Sequence, residues 1–129
     1  MSPIEDAVRR FLERYGGALS AGEVPTVVAC WDVPALVMAD EGSRPVATLA
    51  EVEEFFSAAV GWYRSQGLVA TEPQVKRVEM LGQRLVFVDV IWSALDAAGN
   101  VKSSERSCYV LRLSDDGSLR IQVAISVPS

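Results

Sequence analysis

The chain contains no histidine. That absence removes triads with an imidazole base, His–Asp dyads and His-ligated metals together. Cysteine is scarce as well: Cys30 and Cys108 are the two in 129 residues. They have no metal-ligand spacing and sit in apolar surroundings, where a reduced, buried thiol is the expected state. Neither a metal nor a cofactor is expected. Positive charge is in short supply, with 12 Lys and Arg against 17 Asp and Glu and a net charge of -5. Nucleic-acid partners require clustered basic residues, and Arg9 with Arg10 is too small a cluster to supply them. Long apolar runs are missing too. Half the residues are hydrophobic, yet no stretch approaches the roughly 20 residues a membrane helix needs. The N-terminus has no basic region leading into an apolar one. A cytoplasmic, unexported protein of one domain over residues 1–129, without a membrane partner, is expected.

What the chain does have is strand-forming sequence in its second half. Leu85 to Trp92 is β-branched and aromatic, without proline. Successive strand residues point to opposite sides, so Val86, Val88, Val90 and Trp92 share one face and Leu85, Phe87, Asp89 and Ile91 share the other. Both faces are apolar and both need cover. The chain's own helices would cover one, and a second copy of the chain the other. Ala97–Asn100 supplies a turn, Val101 to Leu113 returns, Asp115-Asp116-Gly117 turns again, and Leu119 to Val127 closes a meander.

The first half reads as helices. Ser2-Pro3-Ile4-Glu5 combines a capping hydroxyl, proline at the first helical position and Glu three residues after the cap. Ile4, Val8, Phe11, Leu12, Tyr15 and Leu19 then form one stripe. Gly16-Gly17 costs roughly 1 kcal/mol per glycine relative to alanine, which implies close packing or a bend there. The pattern predicts a short helix over Val24 to Trp31, a strand over Val33 to Asp40 whose Pro34 suits an edge or a strand start, and a turn at Asp40–Ser43. Thr48 and Glu51 form a second capping box, opening a helix to about Gln66 with Val52, Phe55, Phe56, Ala59, Val60 and Tyr63 on its apolar side. A strand over Val69 to Leu81 precedes a turn at Gly82-Gln83.

Helix, short helix, strand, long helix and then a run of antiparallel strands is similar to the nuclear transport factor 2-like superfamily, which includes SnoaL-like polyketide cyclases, ketosteroid isomerases, scytalone dehydratases and limonene epoxide hydrolases. Residues 14–22, Arg14-Tyr15-Gly16-Gly17-Ala18-Leu19-Ser20-Ala21-Gly22, resemble the first-helix end of ketosteroid isomerase, and Gly42-Ser43 followed by the Thr48 helix continues the similarity. The resemblance implies an α+β fold: a cone-shaped, curved antiparallel sheet with three helices from the N-terminal half on its concave face. Ketosteroid isomerase chemistry combines a carboxylate that shuttles a proton with two donors that stabilise an enolate oxygen. The resemblance places a donor tyrosine at Tyr15 and a second donor at Tyr109. It places the shuttling aspartate at Ala39, with Asp40 one residue late and on the opposite side of a regular strand. It also turns Val88, Val90 and Trp92 into the cone, and puts Phe87, Asp89 and Ile91 on the convex back, where family members commonly dimerise.

Three functions follow as expectations. The first is a homodimer, joined through the Leu85, Phe87, Asp89 and Ile91 face, whose cone holds a small, largely apolar molecule. Tyr15 and Tyr109 would touch that molecule, and Trp31, Phe56, Tyr63 and Trp92 would line its pocket. The second is a cofactor-free isomerase, lyase or hydrolase with Asp40 as base and Tyr15 as electrophile. The third is a non-catalytic interaction module with a packed cone. Asp89 is expected at the dimer contact, facing a partner group or water. Arg106 is expected to pair with Glu105 at the surface or to stand at the cone's mouth.

Overall fold

The computed structural model describes residues 2–128. Helix α1 spans Pro3–Ala21. The Ser2 hydroxyl accepts the Glu5 backbone N–H at 3.2 Å, and Gly22 ends the helix in the left-handed conformation, where glycine is strain-free. Its apolar stripe buries Val8, Phe11, Leu12, Tyr15 and Ala18. The costly Gly16 has a reason: a Cβ there would sit 2.8 Å from the Trp92 ring and 3.1 Å from the Thr71 carbonyl oxygen. Close approach of the helix to the sheet requires it.

Helix α2 covers only Val24–Ala29, with Cys30 as its C-cap. Trp31 therefore does not end this helix, as the apolar spacing predicts, but begins strand β1, Trp31–Ala39. The reason is tertiary. The Ile121 N–H donates to the Cys30 carbonyl at 2.7 Å, and Trp31 pairs with Ile121, so the distant C-terminal strand captures the chain there. Strand β2, Gly42–Val46, folds back on β1, and helix α3, Leu49–Ser65, follows behind the Thr48/Glu51 capping box. Strands β3 (Leu68–Met80), β4 (Leu85–Asp96), β5 (Val101–Leu113) and β6 (Leu119–Val127) complete the chain.

The sheet is curved and unclosed, in the order β2-β1-β6-β5-β4-β3, with three helices packed on it. Every neighbouring pair is antiparallel except β1 with β6, which run parallel. This places β1 inside the sheet and not at an edge, one of the two positions its proline suits, and Pro34 lies in the first part of the strand, before the pairing with β2 begins at Ala35. Pro34 is tolerated because the β1/β6 register breaks between Trp31 and Leu36. On β4 the two faces separate as the alternation predicts: Val86, Val88 and Val90 have no exposed surface and Trp92 is buried, whereas Leu85, Phe87, Asp89 and Ile91 are half-buried. The first set packs against Val8, Phe11, Leu12 and Tyr15 in one core.

Candidate functional site

The core does not fill the concave side. Between α1, the β1–β2 hairpin, α3 and the inward faces of β4 to β6 lies a cavity of about 630 Å³, within the range that holds small molecules. Tyr15, Trp31, Phe56, Tyr63, Trp92 and Tyr109, the residues the sequence offers as ligand contacts, all line it. The packed cone that an interaction module would have is thus not found.

Two tyrosine–tryptophan pairs form its inner wall. The Trp31 indole N–H donates to the Tyr15 hydroxyl at 3.2 Å, and that of Trp92 to the Tyr109 hydroxyl at 3.0 Å. The tyrosine pairs bring α1 to β1 and β5 to β4, and the Tyr15 and Trp92 rings meet edge-on with centroids 6.0 Å apart. Phe56 from α3 contacts Tyr15 and Trp31 at 6.1 and 5.9 Å between centroids. An indole nitrogen can only donate, so each phenol oxygen is the acceptor and its own hydrogen is not used in that bond; the Ser107 side chain acts on the Tyr109 hydroxyl as well. Burial raises the Tyr15 hydroxyl well above the ordinary phenol range and pushes Tyr109 up to about 12, although the indole bonds pull both the other way. Both phenols are therefore protonated donors throughout the physiological range.

Tyr63 differs. It is half-buried, and burial first and the charge of the neighbouring Glu105 carboxylate second hold its pKa up. Glu105 stands opposite Trp92 across the β4–β5 ladder and lines the cavity at an exposed position.

The proposed base is not in the site. Asp40 is exposed on the β1–β2 turn, and the cavity is lined by its neighbours Ala39 and Glu41 but not by Asp40. A strand residue one place out of step points away, and here the strand has ended as well. Asp40 and Tyr15 form no catalytic pair. Glu51, another carboxylate in the lining, is occupied by helix capping, accepting the Ala47 and Thr48 N–H groups at 2.7 and 3.1 Å.

Arg106 also departs from expectation. It lies on the face opposite Glu105 and grips Asp89 with two bonds, Nε to Oδ1 at 3.0 Å and Nη2 to Oδ2 at 2.8 Å. Asp89 thus finds its partner within the chain, and Arg106 holds the carboxyl below its ordinary range. Glu105 is the residue sequence reasoning missed. Its signal was the alternation along β5: Glu105, Ser107 and Tyr109 share a side, so placing Tyr109 in the cavity places Glu105 there too.

A family model described as NTF2-like protein (DUF6841) matches residues 5–129. The chain belongs to the NTF2-like family. No curated protein sequence matches it. Among solved structures, this NTF2-like chain is similar to a domain of unknown function with a cystatin-like fold from Nostoc punctiforme, at 19% identity and a TM-score of 0.77, covering 100% of this chain and 80% of that one. It is similar to Aln2 from a Streptomyces species, at 18% identity and a TM-score of 0.75, covering 98% and 92%. A ketosteroid isomerase-like protein from Erwinia carotovora atroseptica aligns at 16% identity and a TM-score of 0.71, covering 98% and 97%. At these identities the likeness is one of fold, and function rests on the site.

Proposed function

We infer that this NTF2-like protein binds a small, largely apolar molecule carrying an acceptor oxygen. The observation that carries the reading is the pair of indole-anchored phenols, Tyr15 and Tyr109, beside the Trp31, Phe56 and Trp92 rings in a cavity of about 630 Å³. Two donors fixed in a desolvated wall favour a carbonyl or similar oxygen. The proposed base Asp40 is outside the cavity, and Glu51 is engaged in capping α3, so the reading is one of binding. Two unpaired, buried cysteines fit a reducing compartment such as the cytoplasm.

The reading includes a homodimer joined through the convex face of β4. Leu85, Phe87 and Ile91 are half-buried there, and Asp89 is already neutralised by Arg106, so a partner could cover this face without stranding a charge. Melting the protein with steroid-like, terpenoid and polyketide ligands tests the pocket. A bound ligand at about 100 times its Kd adds about 2.7 kcal/mol to stability; no shift with any of them would remove the reading. Sedimentation of the wild type and Phe87→Glu tests the dimer, with a dimer expected for the first and a monomer for the second.

A further inference from the structure

Three polar groups of the cavity lie at different depths. At its closed end are two donors, the buried hydroxyls of Tyr15 and Tyr109. At its open end is an acceptor, the carboxylate of Glu105, which lines both the cavity and a second groove beside Trp62, Asp96 and Lys102. Glu105, Ser107 and Tyr109 follow one another along the inward face of β5. Glu105 and Tyr109 are four positions apart along β5, about 13 Å between their backbone positions at about 3.3 Å per residue, a spacing on the scale of a two-ring molecule. Tyr63 on α3 is the neighbour of Glu105, lining the same cavity and the same groove. A carboxylate accepts at about four lone-pair sites, so a phenol neighbour leaves capacity for a ligand. The other charged residues of the lining are differently placed: Glu51 caps α3, Arg64 reaches the Ala21 carbonyl, and Glu41 and Arg44 lie on the β1–β2 hairpin.

We propose that Glu105, positioned by Tyr63, is the specificity residue for the outer end of the ligand, and that the cavity takes a molecule with an acceptor oxygen at its buried end and a hydroxyl or ammonium donor at the other. This rests on the binding reading above and adds a direction to it. A ligand of this class lies with its apolar body across Phe56 and Trp92. A molecule with acceptors at both ends would face Glu105 with a lone pair and be disfavoured.

The probes are a naphthalene carrying an acetyl group at one end and a hydroxyl at the other, and its methyl ether, which keeps the ketone and loses the donor. Calorimetry on the wild type should give a Kd for the hydroxy ketone several-fold to about tenfold lower than for the ether, since a charged acceptor at an exposed position adds at most a modest hydrogen bond. Glu105→Gln should bring the two within about twofold, by weakening the hydroxy ketone and relieving the lone-pair repulsion on the ether, whose retained binding reports that the cavity is intact. Tyr63→Phe should weaken the preference without abolishing it. Equal binding of the two probes by the wild type, or a preference that survives Glu105→Gln, would overturn the assignment and leave the pocket reading standing. Binding of neither probe would overturn both.

Discussion

Helices α1 and α3 carry apolar stripes and cover the same sheet face, but they are buried to different depths. α1 sinks Val8, Phe11, Leu12, Tyr15, Gly16 and Ala18 into the core, whereas α3 buries only Val52 and Val60 and leaves Phe55 55% exposed. One helix is packed along its length; the other is held at its ends. At the start of α3 the Thr48/Glu51 capping box ties down the backbone, and at its far end Arg64 donates to the Ala21 carbonyl and Tyr63 lies beside Glu105. A helix anchored in this way spans the cavity instead of filling it. The contrast teaches that an apolar stripe states a preference for cover and does not say whether the cover will be protein or ligand.

The largest test of this contrast is to shorten a side chain on each helix. Leu12→Ala, at a position without exposed surface, should cost about 2–5 kcal/mol in denaturant unfolding. Phe55→Ala on α3 should cost less than about 1 kcal/mol, and similar losses for both would mean that α3 is as tightly packed as α1.

Adjacent glycines in α1 provide the next test. Gly16→Ala drives a methyl into Trp92 and the Thr71 backbone and should destabilise by about 1–3 kcal/mol. Nothing lies within 4 Å of a Cβ at Gly17, so Gly17→Ala should raise the melting temperature through a gain of up to about 1 kcal/mol. Equal effects at the two would show that close approach to Trp92 does not constrain the helix.

Tyr109→Phe leaves the buried Trp92 N–H without its acceptor and should cost about 1–3 kcal/mol. The wild type should echo this in its alkaline limb. Tyr109 ionises at about 12 when folded and near 10 when unfolded. Its contribution is complete below about pH 10 and is lost as pH rises through about 12. Ultraviolet titration of the folded protein should show this phenol ionising late, and a normal titration would contradict the buried pair.

The smallest effect belongs to the convex face. Asp89→Asn should cost about 1 kcal/mol, because Arg106 is partly exposed and solvent screens the pair. The folded carboxyl ionises below its unfolded value of about 3.9. Its contribution is therefore present above that pH and lost as pH falls through the lower folded value. Wild type and variant should converge in acid, and a difference that persisted there would point to packing rather than charge.

Much of the architecture was legible from local signals. The caps at Ser2 and Thr48 and the meander turns mark element ends by short-range chemistry, and the alternation along Leu85 to Trp92 sorts two faces without reference to anything else. Trp31 was misread because helical spacing continues through it while a strand nearly a hundred residues away in sequence claims it. The same limit applied to charge. Neighbouring Glu105 and Arg106 suggest a pair, but on a strand neighbours face opposite ways, and each found its partner across the fold, in Tyr63 and Asp89.

The sequence by itself determined the types and order of the elements other than strand β2, where it marked only a turn, the inward and outward sets of β4 and the absence of histidine chemistry, since these depend on residue identity and on periods of two and 3.6. Tertiary structure alone decided that the concave side stays open, that Asp40 is left outside it while Glu105 stands at its mouth, and that both inner phenols are held as donors by indoles. Those outcomes depend on which distant side chains meet, and one residue of register or one helix held off the sheet changes them without altering any local pattern.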